Sequence, residues 1–552
     1  MHRRSWWLRF QSWVAHHGWI GGPIIFLAAA GVFTWLLLDP TFADPDSFYH
    51  ARLAQLMSEQ GIITSFPYLR YTYLYEHFTD HHLLYHLILV PFVKWLPMFT
   101  GVKVATIFLA ATFFLVWFYI ARSIGGWLPS LAAFLLLATR PFDFRLGLTK
   151  ASALALILLF VGFWLVVQKK YPWLFLLGFL YAWAHGGFAL LWVVAGITGT
   201  AMALSDNRTH LRQLFFPTSA PDHSLWLRWQ HAKRLLKAWW KEACIPTLVA
   251  FIGTVAGTLF NPYVPNNMRF LWQQVVQIGL VNYQDVITVG AEWYPYPWQF
   301  LVPDTAILGI TFISVIVLTV WFHKRTTGLS WATLLLTLFF FALTLKSRRF
   351  IEYAVPWGWL CVTVTWGATD IGRHLEQRWT KIRAFILSSN WHTALSALLV
   401  MYFVVIIPAI AAKGLYDNKR QFSTSIPMNR WQGAAAWMSE HTPEGSLVFH
   451  DDWDGFPLLF AHDPHNTYII GLDPTFLYLY DENLYWKYVN VTTGKEEGRL
   501  SEIIGQDFQA RYVFVAVDHA RLQNQLRRDE DFEEVYKDDE ASVFLLEEQN
   551  PL

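Results

Sequence analysis

The stretch Asp44-Pro-Asp46-Ser-Phe-Tyr-His50 gathers two carboxylates and an imidazole within seven positions, directly after an apolar run from Trp19 to Leu38. A run of that length crosses a bilayer, so the two acids stand at a membrane surface rather than inside it. Hard oxygen ligands suit Mg²⁺ or Mn²⁺, and an ion held there can bind an anionic, lipid-linked phosphate. A helix beginning near Ser47 would also let Asp46 act as its cap. Capping needs one acid, whereas two acids followed by His50 point to a metal.

Four further groups of residues carry chemistry. In Asp80-His81-His82 with His86, the last two histidines are four apart on one helix face and could share an ion, the plainer alternative being hydrogen-bonded interfacial histidines. Glu292 stands among aromatics and prolines in VITVGAEWYPYPW; a ligand-ordered loop would deliver it to a metal or an acceptor, and otherwise it is a solvated loop acid. Arg140, Arg145 and Lys150 lie in RPFDFRLGLTK, and Lys346, Arg348 and Arg349 in LKSRRFIEY. Finally, Asp451, Asp452, Trp453 and Asp454 crowd a turn that Gly455 permits, either as turn chemistry alone or as a peptide-recognition surface.

The elements that must position these groups are mostly membrane helices. Of 552 residues, 54% are hydrophobic, 18% aromatic and 15% charged, far from the roughly 25% charge of soluble domains. The 30 Trp suit aromatic belts at two interfaces. A net charge of +1 leaves no nucleic-acid footprint. Two cysteines, Cys244 and Cys361, both in apolar segments, exclude a disulfide framework. Apolar runs predict about eleven spans: Trp19–Leu38, Val102–Ala121, Trp127–Thr139, Ala151–Val167, Trp173–Ala184, Phe188–Leu204, Cys244–Phe260, Val302–Phe322, Ser330–Leu345, Phe350–Ala368 and Trp391–Ala412. The basic N-terminus lacks a small-residue cleavage site before Trp19, so the first span is expected to be retained.

Lys and Arg in the loops orient the chain with its N-terminus cytoplasmic, as a multi-pass cell-membrane protein. Arg3, Arg4, Arg9, Arg122, Lys169, Lys170, Lys324, Arg325, Arg373, Arg378, Lys381 and Arg383 then share the inner side, provided that Leu83–Phe99 is an interfacial or re-entrant helix. The large outer loops are 39–101 and 261–301. The cations of the Arg140–Lys150 and Lys346–Arg349 loops fall on the outer side, against the rule, which invites an anionic ligand there; snorkelling of long side chains is the alternative. Residues 1–413 are expected to form the membrane domain. The segment 414–552, where strand-like runs (SLVFH, NTYIIG, RYVFVAVD, ASVFLLE) alternate with helix-like ones, reads as an extracytoplasmic α/β domain.

Together these pieces resemble the catalytic subunits of oligosaccharyltransferases, which have the GT-C glycosyltransferase fold. Asp46-Ser-Phe-Tyr-His50-Ala-Arg52 is similar to the family's first acidic motif, D-P-W-Y-H-x-R, whose Asp binds the catalytic metal. Thr288-Val-Gly-Ala-Glu292 looks like the (S/T)-(V/I)-x-E motif of the family's mobile outer loop, one residue longer. Arg349, in SRRFIEYAVP, resembles the family's arginine before a late span. The stretch AAAWMSEHTPEGSLVFHDDWDGF resembles the segment leading into WWDYG, which reads the hydroxyl residue of the acceptor sequon; Trp453 and Asp454 are retained, while the first Trp and the Tyr are not. The second acidic motif, R-x-x-x-G-x-x-D, has Lys150 where its Asp would follow Gly147. Either His81 or His82 supplies the missing ligand, or the Lys150 ammonium does part of the metal's electrostatic work.

The resemblance implies a mostly α, polytopic GT-C protein with a C-terminal soluble α/β domain, moving a glycan from a polyprenyl-phosphate or -pyrophosphate donor to an acceptor on the outer face, a protein asparagine by likeness. Asp46 and Glu292 would be catalytic, with a divalent metal (Mg²⁺ or Mn²⁺) on Asp46, Glu292 and His81 or His82. Arg349, Arg348, Lys150, Arg145, Trp453 and Asp454 would bind the substrates. A lipid or polysaccharide acceptor is the alternative among enzymes. A non-enzymatic lipid-glycan transporter is the alternative outside them, and predicts charged or broken helices at mid-membrane.

Overall fold

In a computed structural model, the residues described are 20–215, 224–281, 283–370, 405–496 and 498–547, with six positions (388, 389, 391, 393, 394 and 401) in between. Arg3, Arg4, Arg9, Arg373, Arg378, Lys381, Arg383 and much of the Trp391–Ala412 span lie outside them.

Among the described residues, four helices are long and apolar enough to cross a membrane, or up to six if each of two bent pairs is one span. The helices used below are α1 (Gly21–Leu36), α2 (Asp46–Gln60), α3 (Leu83–Trp95), α4 (Met98–Ser123), α5 (Arg140–Gly147), α6 (Ser152–Val167), α7 (Tyr171–Ala184), α8 (Leu190–Asp206), α9 (Ile245–Leu259), α10 (Ala306–Trp321), α11 (Gly328–Lys346) and α12 (Ile351–Ala368). This is fewer spans than the apolar runs suggest, for two physical reasons. Two of the runs form helices of 16 and 14 residues, α1 and α7, short of the roughly 20 that hydrocarbon thickness demands. Helix α12 is buried on every side from Ile351 to Thr365, so its partners are protein groups and it tolerates Glu352 and three tryptophans. Leu83–Phe99 yields only the 13-residue α3.

Small residues let the bundle close tightly. A Cβ on Gly253 or Gly257 of α9 would lie 2.4 Å and 2.3 Å from the carbonyl oxygens of Phe175 and Phe179 on α7. Glycine is therefore required where these backbones meet.

Two breaks shape the functional end. Helices α5 and α6 meet at 113°, and Trp298–Asp304 meets α10 at 74°. Pro141 in the first turn of α5 and Pro297 just before Trp298 start the shorter arms, positions where a missing N–H costs nothing. The first break places Lys150 at the bend.

The tail forms a five-stranded sheet in the order β4-β3-β5-β7-β6, with β3 Leu447–His450, β4 Thr467–Tyr468, β5 Tyr512–Ala516, β6 Phe532–Lys537 and β7 Ala541–Leu546. Strand β3 runs parallel to β4 and β5, and β7 antiparallel to β5 and β6. The tail is tied to the membrane part rather than tethered. Strands β1 (Thr41–Phe42) and β2 (Ile426–Pro427) pair antiparallel, Leu69 bridges Tyr468, and the helix Ile407–Ser423 runs straight through the 413/414 boundary. A composition shift marks where water begins, and that need not be where a helix ends.

Candidate active site

Helix α2 begins after Pro45, and Asp44 rather than Asp46 supplies the terminal hydrogen bond: Asp44 Oδ1 accepts from the Asp46 N–H at 2.9 Å. The Asp46 carboxylate is thereby free to turn outward. Opposite it, the α5–α6 bend delivers Lys150, whose Nζ lies 2.8 Å from Asp44 Oδ2, 2.8 Å from Asp46 Oδ2 and 3.8 Å from Glu292 Oε2. One ammonium therefore joins carboxylates from two distant parts of the chain.

Glu292 is positioned by the segment before α12. Ser347 Oγ donates to the Glu292 carbonyl at 2.8 Å, and the Arg348 N–H donates to the Tyr294 carbonyl at 2.9 Å. Its carboxylate accepts from Arg145 Nη1 at 2.8 Å and lies 3.8 Å from Arg349 Nη1. Arg145 also donates through Nε to the buried Glu352 at 2.9 Å, and Arg349 sits 4.5 Å over the Trp293 ring. Burial would raise the Glu292 pKa, but Lys150, Arg349 and Arg145 outweigh it and hold the carboxyl well below its ordinary value. Asp44 is pushed up to about 6, by burial first and by Asp46 and Glu292, against the pull of Lys150.

These groups border a cleft of about 640 Å³ whose walls include Asp44, Asp46, Arg145, Lys150, Glu292 and Arg348 on the membrane side and Trp453, Asp454 and Asp473 on the tail side. Asp454, its backbone N–H bonded to the Asp452 carboxylate at 3.1 Å, is raised to about 8 by burial and by the nearby Asp46 and Asp452. The expected substrate residues are thus brought together: Arg349 touches Glu292 just behind the lining, and the others face one space.

The metal ligands are not assembled as expected. Among the described residues, the group of three metal-ligating side chains with ligand atoms within 4.8 Å of one another is Asp451, Asp518 and His519, in the tail. Asp46, Glu292, His81 and His82 form no such set, and Lys150 lies between Asp46 and Glu292. His81 and His82 are engaged elsewhere: the His81 ring packs 5.2 Å from Phe270, and the His82 ring 5.4 Å from His185. Burial keeps both neutral, pushing His81 down to about 4 and His82 well below its ordinary value. His86, held through Nδ1 by Asp80 at 2.7 Å, meets His50 at 2.7 Å instead of sharing an ion with His82.

Two residues at or behind the cleft wall escape sequence reasoning. Glu352 is an acid in the first turn of an apolar helix, which is a signal in itself, since an unpaired carboxylate would not be buried there. Asp473 reaches the cleft from the loop after β4, and only the fold shows it.

No protein-family model matches the chain, and neither does any curated protein sequence. Solved structures do match. The archaeal oligosaccharyltransferase AglB from Archaeoglobus fulgidus, in complex with an inhibitory peptide and a dolichol-phosphate, superposes with a TM-score of 0.61 at 14% identity, over 92% of this chain and 70% of that one. This chain has the GT-C fold. An A. fulgidus oligosaccharyltransferase tethered via a disulfide bond to an acceptor peptide containing the NVT sequon gives a TM-score of 0.55 at 14% identity, over 95% and 73% of the two chains. ArnT from Cupriavidus metallidurans bound to undecaprenyl phosphate, a further GT-C protein, gives 0.50 at 14% identity, over 96% and 98%. With a GT-C fold and its apolar helices, the chain is a multi-pass membrane protein.

Proposed function

We propose that this GT-C protein is a membrane glycosyltransferase that moves a glycan from a polyprenyl-phosphate or -pyrophosphate donor to an acceptor on the outer face, an asparagine side chain being the leading acceptor. The observation that carries this reading is the single cleft in which Asp46, Lys150, Arg145, Glu292 and Arg348 face Trp453 and Asp454 of the tail. Fixed cations beside a carboxylate suit a displacement at the anomeric carbon. The acceptor forms its bond to that carbon as the bond to the phosphate oxygen breaks, and Lys150, Arg145, Arg348 and Arg349 neutralise the charge left on the phosphate. Asp46, the more exposed of the two acids facing Lys150, accepts from the incoming nucleophile. Support for a polyprenyl donor comes from the dolichol-phosphate on AglB and the undecaprenyl phosphate on ArnT.

The broken helices that a transporter would require are present, but both end at the cleft: one break carries Lys150, and Asp304 beside the other pairs with Arg140 at 2.9 Å. A site for charged chemistry at the surface explains them without a translocation path. A lipid or polysaccharide acceptor is the second reading, favoured by the reduced recognition segment around Trp453 and by the chain's spanning nearly all of ArnT but 70% of AglB.

The deciding experiment supplies purified protein in lipid nanodiscs with a lipid-linked sugar pool and either sequon peptides or lipid acceptors. Labelled peptide is the expected product. Labelled lipid alone moves the assignment to the second reading, and no transfer to any acceptor overturns the enzyme assignment.

A further inference from the structure

The position that sequence likeness reserves for a second metal-binding carboxylate is held here by Lys150, and the structure shows where its charge goes. Nζ bridges Asp44 Oδ2 and Asp46 Oδ2 at 2.8 Å each, with Glu292 Oε2 at 3.8 Å. All four side chains line the one cleft. A divalent cation drawn to these acids would bind carboxylate oxygens at about 2.0–2.6 Å, and so would compete with Lys150 for the Asp44 and Asp46 carboxylates. It would also bring a double positive charge beside an ammonium inside a partly enclosed site, with Arg145 2.8 Å from Glu292 adding to the repulsion. Removing one carboxylate and adding one cation changes the local balance by two charges, in the direction that disfavours an ion.

We propose that Lys150 is the resident cation of this site, standing in place of a divalent metal, and that transfer by this protein is metal-independent. The inference rests on the glycosyltransferase reading for its activity consequence, but the ion-binding claim stands apart from it. The ammonium orients Asp46 and offers positive charge to the donor phosphate, much as a bridging ion would. As a monovalent donor on a flexible stem it cannot organise as many oxygen ligands at once. Arg145 and Arg349, both directed at Glu292, supply the remaining charge.

The test measures Mn²⁺ binding by electron paramagnetic resonance on full-length protein in nanodiscs, alongside transfer with and without EDTA. The Asp451–Asp518–His519 cluster could bind Mn²⁺ by itself, so D46N is the reference: only a signal lost in D46N belongs to the cleft. Wild-type protein is expected to show no D46N-sensitive Mn²⁺, and EDTA to change its transfer rate by no more than about two-fold. K150D is expected to gain a D46N-sensitive site, with K150N used should K150D not fold. A D46N-sensitive Mn²⁺ site in wild-type protein overturns the proposal. So does transfer abolished by EDTA and restored by Mn²⁺ or Mg²⁺, and so does a folded K150D that gains no D46N-sensitive Mn²⁺ site. If no acceptor is ever labelled, the glycosyltransferase reading falls while the Mn²⁺ measurement still decides the role of Lys150.

Discussion

Two charged clusters in this protein solve the same problem by different means. In and just behind the cleft wall, Asp44, Asp46, Glu292 and Glu352 are met by Lys150, Arg145 and Arg349, cations of a type that keeps its charge across the physiological range. In the tail, the buried Asp451 is met by His519 Nδ1 at 3.0 Å, with Asp518 at 3.4 Å, and Asp451 also accepts from the Ala516 N–H at 2.6 Å. The first cluster opens onto a 640 Å³ space and joins distant segments. The second ties a strand end to the next loop within one small sheet. Fixed cations beside an open space hold charge ready for a ligand, whereas an imidazolium against a buried acid secures a local fold and does so only while protonated.

This contrast can be broken or sharpened by experiment. The largest effect is expected from Asp46→Ala, which should slow transfer on the order of 10²–10³-fold without shifting thermal unfolding; near-wild-type turnover in the transfer assay would take Asp46 out of the mechanism. Next, Glu352→Ala leaves Arg145 with one acid instead of two in a buried setting, and should destabilise the protein by about 3 kcal/mol, read as an earlier transition by tryptophan fluorescence in detergent. An unchanged transition would mean that Arg145 is satisfied by Glu292 alone. Arg349→Ala removes a cation over Trp293 and a neighbour of Glu292, and should raise the donor KM by roughly five-fold, at about 1 kcal/mol for a partly desolvated contact, with little change in kcat. A fall in kcat alone would contradict a donor-binding role.

The smallest effect concerns pH. His519 is raised to about 9, chiefly by its close pairing with the Asp451 carboxylate. Because the folded pKa lies above the unfolded value near 6.5, its stabilisation is complete below about pH 6.5 and disappears as pH rises through about 9. Wild-type protein should therefore lose stability between pH 6.5 and 9, and His519→Ala should flatten that slope in thermal unfolding followed across the range. An identical slope in both proteins would separate His519 from the effect.

How far the sequence reached differs by residue. Asp46 was legible because an acid beside Asp44, following an apolar run, has few structural uses. The cations at 145, 150, 348 and 349 stood out because the positive-inside rule assigned their loops to the outer side, although their partners could not be read from a loop. Strands β3, β5 and β7 were visible as β-branched and aromatic runs, while β6, FEEVYK at the sheet edge, was hidden by charges that its exposed face tolerates. The histidines misled. Four-residue spacing places His82 and His86 on one face, but Asp80 and His50 claim His86 first. Apolar runs do not reveal whether a helix faces lipid or protein, so they do not separate a span from a buried helix such as α12.

The sequence by itself determined a membrane-embedded helical chain with a soluble tail, since hydrocarbon admits only apolar, internally hydrogen-bonded segments. It also determined which charged residues were out of place. Only the tertiary structure decided that Lys150 lies between Asp44, Asp46 and Glu292, because electrostatic partners separated by a hundred residues or more meet through helix breaks and loop docking. Pattern and spacing carry no record of those distances.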